Sequence, residues 1–352
     1  MKVLVTGAEG YIGAVLVPYL AERGHRVTAV DTGFYREGYL FHDGESLPAV
    51  HTRDVRRLTH EDLRGHDAVV HLGELSNDPA GDLIPEATER INHRGTVRLA
   101  QLCVEAGIER FVQMSSCSVY GVADEEVVNE TSALHPQTAY ARCKEKVERE
   151  VSALASHRFT PTFLRNATAF GASPRMRFDL VVNNLSGLAW TRKQLLLTSD
   201  GTPWRPLVHI LDISQAIDLT LRAPRERVHA EVLNVGGRDA NFTVAEIARA
   251  LGEVFDGCPV VLGELGADRR SYRVSFDKIH RVLPDFRARF GLRDGAVQLR
   301  RLFERIRLTR EAFEARPYHR LHQLKHLLES GQLDGELFWA TTPVAQLSER
   351  VE

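Results

Sequence analysis

Cysteine is scarce. Four occur in 352 residues (Cys103, Cys117, Cys143 and Cys258), and no two have CxxC spacing. A zinc ribbon or a dithiol redox pair therefore has no support, and no metal site is expected. Reduced thiols in a cytoplasmic protein are the expectation. Long apolar runs are missing too. No stretch approaches the roughly 20 apolar residues that span a bilayer, so no membrane partner is expected. The opening MKVLVTGAEG runs straight into a strand and a glycine turn, without the apolar run of a signal peptide. An excess of either charge is absent: 45 Lys and Arg against 47 Asp and Glu give a formal net charge of −2. Nucleic acid would favour a basic stripe, so none is expected as a partner. Internal repeats and low-complexity tracts are not visible.

What remains has the balance of a globular chain, 43% apolar and 26% charged. The length suits one large domain or two smaller ones. The first half alternates apolar runs with amphipathic stretches. Strands are expected at Val3–Val5, Arg26–Val30, Ala49–Thr52, Ala68–Leu72, Arg110–Met114 and Phe159–Leu164. Helices are expected at Ile12–Glu22, Pro85–Ala106 and Ala139–Ala155. Such alternation implies right-handed crossovers and a parallel sheet covered on both faces. The order changes near Gly171. Val208–Leu211 and Val232–Val235 read as strands returning to the sheet, and residues 243–256 have helical spacing. Leu321, Leu324, Leu327 and Leu328 form one helical stripe, read as packing rather than chemistry.

Gly7, Gly10 and Gly13 place a GxxGxxG turn between the first strand and the first helix. Glycines there permit a tight turn, close approach of a pyrophosphate and close packing of helix on strand. The helix N-terminus then favours negative charge. Asp31 ends the second strand, 18 residues after Gly13. A carboxylate there accepts bonds from both ribose hydroxyls and repels a 2′-phosphate, which selects NAD over NADP. Tyr11 and Ile12 in the turn, Leu72 and Gly73 after the fourth strand, and Asp54 and Val55 after the third are further cofactor candidates. The fold class is thus α/β, a Rossmann-type doubly wound parallel sheet with a smaller, discontinuous C-terminal substrate lobe. The expected division is residues 1–170 for the cofactor domain, with returning segments at about 207–235. Residues 171–206 and 236–300 form the substrate lobe, and 301–352 a helical tail.

Tyr140 and Lys144 form YxxxK. On a helix they share one face. A free tyrosine titrates near pH ~10, and a neighbouring ammonium favours tyrosinate. Tyr140 can then take a proton from a sugar hydroxyl as hydride leaves its carbon. Ser115–Gly121, SSCSVYG, follows the fifth strand and puts hydroxyls at the sheet edge where ligands bind in open α/β folds.

GxxGYIG, HLG, Asn92–Thr96 (NHRGT), SSCSVYG and YARCK together resemble the extended short-chain dehydrogenases, and within them the NAD-dependent epimerase/dehydratase family, over roughly residues 1–280. The resemblance implies that Ser116 is the catalytic serine and Tyr140 the acid/base. Lys144 then binds the nicotinamide ribose and lowers the tyrosine pKa. It also implies that Arg205, in GTPWRPLVHILD, and Asn184, in NNL, hold a nucleotide diphosphate, with Arg270 as a further phosphate candidate. A homodimer built on the Pro85–Ala106 and Ala139–Ala155 helices is implied as well.

Departures from the family pattern concern the substrate. The family's 4,6-dehydratases carry an Asp-Glu pair directly after the catalytic hydroxyl, where this chain has Cys117 and Ser118. HLAA is the common run after the fourth strand, and here it is HLGE followed by SNDP, so Glu74 and Asn77 are expected to face the sugar. Thr168 stands where the family often has Asn. The expected function is a nucleotide-sugar epimerase acting at C4 through a transient 4-keto sugar. A 4-ketoreductase or an atypical dehydratase is the alternative. A non-catalytic dinucleotide sensor is disfavoured by the presence of Ser116, Tyr140 and Lys144 together.

Overall fold

Val3, Leu4 and Val5 in the first strand and Ala68, Val69 and Val70 in the fourth are all inaccessible to solvent. Continuous apolar runs of this kind belong to strands covered on both faces. Successive side chains point to opposite faces of a sheet. Accordingly Val3 and Val5 join one core cluster with Ile213 and Ile217, and Leu4 joins another with Val69, Leu99 and Val147. The computed structural model describes residues 1–42, 49–76, 78–122, 125–263 and 271–340.

Seven parallel strands form the large sheet. They are β1 (Lys2–Thr6), β2 (Arg26–Asp31), β3 (Val50–Thr52), β4 (Ala68–His71), β5 (Arg110–Ser116), β6 (Thr160–Asn166) and β7 (Val232–Val235). Their spatial order is β7-β6-β5-β4-β1-β2-β3. The chain therefore reverses direction across the sheet between β1 and β4. In open α/β sheets ligands bind beyond the carboxyl ends of the strands at such a switch point.

Two expectations change. Trp204–His209 does not return to the large sheet: it is the centre of a separate three-stranded sheet between Asn241–Thr243 and Thr168–Phe170. Only Val232–Val235 returns. An apolar run signals a strand but does not name the strand it pairs with. The Pro85–Ala106 stretch is helical throughout but not uniform, with a π-helical segment, Glu89–Gly95, between Pro85–Thr88 and Thr96–Glu105. Such widened turns recur at functional sites. Here Asn92 reaches from it to Leu75, whose backbone N–H it accepts at 2.8 Å and whose carbonyl it donates to at 2.9 Å.

The smaller lobe has its own core, built by the helices Val181–Arg192, Val244–Val254 and Leu292–Ile306. The end of the chain does not stay with that lobe. Its helix Arg320–Glu329 lays Leu324 and Leu327 into the cluster that holds Val30, Phe34 and Val55, and Leu333 and Leu337 follow. Each buried Leu contributes roughly 1.5–3 kcal/mol. Among the described residues no helix is long and apolar enough to cross a membrane.

Candidate active site

A cavity of about 840 Å³ opens at the carboxyl ends of β1, β2, β4, β5 and β6. Its floor is the glycine turn. Gly7 has φ +73°, and a Cβ on it would lie 2.6 Å from the Leu72 carbonyl carbon. A Cβ on Gly13 would lie 2.2 Å from the Gly7 oxygen. These are contacts no side chain tolerates, so only glycine lets the turn pack against the Leu72–Gly73 backbone and close onto the first helix. The helix Gly13–Glu22 starts there, and Gly10, Tyr11 and Ile12 line the wall. The Tyr11 hydroxyl donates to the Gly171 carbonyl at 2.7 Å, tying the turn to the second lobe.

Asp31 lies at one end. Its carboxylate accepts from the N–H groups of Gly33 (2.7 Å) and Glu9 (3.0 Å). Burial raises its pKa, and those two bonds oppose the shift. A carboxylate has about four lone-pair sites, which leaves acceptors for a ribose. The neighbouring Arg36 is committed to Glu9 (2.9 Å) and Thr52 (2.7 Å). The bare glycine cradle, the helix N-terminus and Asp31 fit the diphosphate and adenosine ribose of NAD. Val55 lines the cavity, as expected, and Asp54 does not. Asp54 caps the turn that follows it and grips Arg56 at 2.6 Å, because a guanidinium two residues away outcompetes a distant ligand for its oxygens.

Ser116, Tyr140 and Lys144 meet at the other end. Ser116 ends β5, accepts the N–H of Ser118 at 3.1 Å and acts on Tyr140 to lower its pKa. Thr138 caps the Tyr140 helix, accepting the Ala141 N–H at 3.1 Å and donating to Asp78 at 2.7 Å. One turn on, Lys144 is 3% exposed. Leu72 and Gly73 border this end, with Gly73 donating to the Thr6 hydroxyl at 3.2 Å.

Two substrate expectations and one about the tyrosine are corrected here. Glu74 does not present its carboxylate to a sugar: Oε2 lies 2.5 Å from the Lys144 ammonium, and Oε1 accepts from Gln113 at 2.6 Å. A buried ammonium demands a counter-charge, and Glu74 is the carboxylate within reach. Lys144 also donates to the Met114 carbonyl. Cys117 is 2% exposed, donates to the Arg165 carbonyl at 3.2 Å and is not part of the cavity wall. The turn after β5 sends it inward, and burial pushes its thiol pKa upward. Lys144 does pull the Tyr140 pKa down, but burial, joined by the charges of Glu74 and Asp78, outweighs it, and the net direction is upward.

Ser118, Thr168, Asn184 and Arg205 line the cavity. The Ser118 hydroxyl is buried without a hydrogen-bond partner among the described residues. Asn184 donates to the Phe178 carbonyl at 2.8 Å, and Arg205 to the Trp204 carbonyl at 2.9 Å. Asn77 and Arg270 lie outside the described residues. The wall residues that were not anticipated include Arg177, Asp179, His319 and Arg320. Arg177 and Asp179 form a buried pair at 2.9 Å, and Arg177 also donates to Ser76 at 3.2 Å. The R-F-D run could have suggested a pair. Nothing in the Leu stripe pointed its first residues into the cavity.

Behind β5 a second buried network holds the frame. Arg165 grips Glu148 at 2.6 Å and donates to Tyr120 at 3.0 Å, and Tyr120 donates to Asn234 at 2.8 Å. Glu148 also accepts from Ser115. Since Glu148 lies on the Tyr140 helix, the network locks that helix to the strand carrying Ser116.

Residues 3–236 match the model of the NAD dependent epimerase/dehydratase family. The structure resembles that of MoeE5 in complex with UDP-glucose and NAD, with a TM-score of 0.74 and 30% identity, covering 87% of this chain and 99% of that one. The UDP-glucose 4-epimerase of Corynebacterium glutamicum is 27% identical, with 72% of this chain and 80% of that protein aligned. The dTDP-glucose 4,6-dehydratase of Streptomyces niveus is 27% identical over 85% of this chain and 91% of that protein. The chain belongs to the NAD dependent epimerase/dehydratase family and is an NAD-dependent enzyme.

Proposed function

We propose that the protein is a nucleotide-diphosphate-sugar 4-epimerase. The observation that carries this reading is the chemistry of the cavity wall after β5. The two positions that follow Ser116 offer a thiol turned inward and a serine hydroxyl, so neither supplies the acid and base that loss of water requires. Of the other carboxylates on the wall near Ser116, Glu74 is paired with Lys144, Asp78 accepts from the Thr138 hydroxyl at 2.7 Å, and Asp179 is paired with Arg177, whose charge holds it below its ordinary pKa. Epimerisation needs one group that takes a proton and returns it, and Tyr140 suffices.

Bound NAD supplies the hydride acceptor and donor at the sugar carbon. Tyr140 takes the proton of the sugar hydroxyl and gives it back after the 4-keto sugar has turned over. Ser116 holds that hydroxyl beside the phenol. Lys144 favours the tyrosinate, and Glu74 holds the ammonium in place. Arg205 and Asn184 would bind the nucleotide diphosphate, consistent with MoeE5 having been captured with UDP-glucose. A homodimer on the Pro85–Ala106 and Ala139–Ala155 stretches is part of the proposal, and light scattering at micromolar concentration checks it: a dimer mass is expected, and a monomer mass removes it.

Incubation with UDP-glucose and dTDP-glucose, followed by NMR, tests the reaction. A galacto product at constant mass supports the proposal. A product lighter by one water would establish a dehydratase, and consumption of NADH on addition of a 4-keto nucleotide sugar a ketoreductase.

A further inference from the structure

Among the described residues one buried cation is unanswered. Arg320, first residue of the C-terminal helix, is 5% exposed and lines the cavity. Its guanidinium lies 3.9 Å from the centre of the Tyr35 ring. The other buried arginines in this part of the molecule have carboxylates: Arg177 has Asp179 at 2.9 Å, and Arg175 has Glu9 at 3.2 Å. Arg320 forms no ion pair and its side chain makes no hydrogen bond among the described residues. Asp31 and Asp179 act on it only through longer-range attraction. Burial and the nearby Arg177 pull its pKa down to about 10. A desolvated guanidinium with idle N–H groups costs free energy unless an anion completes it.

Its position says which anion. Arg320 stands over Tyr35, within electrostatic reach of Asp31, and lines the same cavity as the glycine turn, at the Asp31 end that fits the adenosine half of a dinucleotide. The segment that carries it is fastened there. Trp339 donates to the Thr32 carbonyl at 2.7 Å, Gln323 to the Phe34 carbonyl at 3.1 Å, and Arg56 to the Leu337 carbonyl at 3.1 Å. Phe338 lies under the guanidinium of Arg56 at 3.6 Å. The fastened segment, from Arg320 to Trp339, lies beyond residue 236, where the family match ends.

We propose that Arg320 binds the diphosphate of NAD, so that the C-terminal segment completes the cofactor site from outside the family core. The proposal rests on the NAD assignment. Guanidinium and diphosphate match in charge and in hydrogen-bond geometry. The C-terminal segment then helps retain a cofactor that is regenerated in each cycle.

Calorimetric titration of NAD into the full-length protein, Arg320→Met and Arg320→Lys tests it, with thermal melting of each protein without NAD as the second readout. Arg320→Met should weaken NAD binding about tenfold or more. Arg320→Lys should recover part of that loss, and cofactor-free melting should not fall in either variant. NAD binding by Arg320→Met equal to wild type overturns the proposal. So does a loss that Lys does not rescue and that comes with lower melting, since that marks Arg320 as packing alone. Failure of the wild type to bind NAD is a different result: it removes the cofactor assignment itself.

Discussion

The two ends of the cavity are assembled in different ways. At the Tyr140 end, Ser116, Tyr140 and Lys144 come from two neighbouring segments, and a buried polar network locks one to the other. At the Asp31 end, β2 meets a segment that arrives almost 300 residues later, and the contacts are backbone carbonyls, ring faces and one unpaired guanidinium. The first end is built to hold a few atoms in fixed relation, as proton transfer requires. The second is a wall closed around a large ligand. In the proposed reading, chemistry and retention thus sit on separate parts of the chain, and each should be breakable alone.

Tyr140→Phe should give the largest effect. It removes the proton acceptor and keeps the ring, so turnover should fall about 10²–10⁴-fold. NAD affinity measured by titration should stay within a factor of two or so, and a matching loss of affinity would show that the two ends are not separable. Glu74→Gln attacks the brace. It leaves the Lys144 ammonium buried without its counter-charge, and breaking a buried pair costs about 3–5 kcal/mol. Urea unfolding measures this, and an unchanged midpoint would show that Lys144 does not depend on Glu74.

Asp31→Ala is the converse of Tyr140→Phe. A charge-assisted bond is worth roughly 1.5–3 kcal/mol, so NAD should bind about 10–100-fold more weakly and the preference over NADP should narrow. Tighter binding of NADP than NAD by the wild type would contradict the role given to Asp31. The smallest effect concerns pH. His71, behind the Tyr140 end, lies between the hydroxyls of Thr6 (2.6 Å) and Thr96 (2.9 Å), and burial lowers its pKa to about 3. The unfolded chain therefore binds the proton first as pH falls below about 6.5. Stability should rise with pH between about 3 and 6.5, and His71 should cost about 2 kcal/mol on going from pH 7 to pH 5. Urea midpoints at those two values check the sign.

Legibility in the sequence follows the same division. Gly7, Gly10, Gly13 and Asp31 could be read because a turn and a strand end impose residue types at fixed spacing. Tyr140 and Lys144 could be read because i and i+4 share a helix face. Glu74 was read as facing the sugar because its position is clear from the sequence and its partner is not: Lys144 is 70 residues away. Asp54 was misassigned for the opposite reason, a local Arg56 that captured it. The Leu321–Leu328 stripe announces a packed helix, yet periodicity does not say against what. Its docking against Val30, Phe34 and Val55, and hence the entry of Arg320 into the cavity, is a tertiary fact. The pairing of Trp204–His209 in the smaller sheet is another.

The central claim is that Tyr140 and NAD carry one hydride off C4 and back again. A nucleotide sugar deuterated at C4, turned over in ordinary water, tests it most directly. The account predicts that the product keeps the deuterium at C4, that free NADH acquires none, and that the reverse experiment in heavy water puts none at C5. Loss of the C4 label to free NADH, or solvent deuterium at C5, would contradict it.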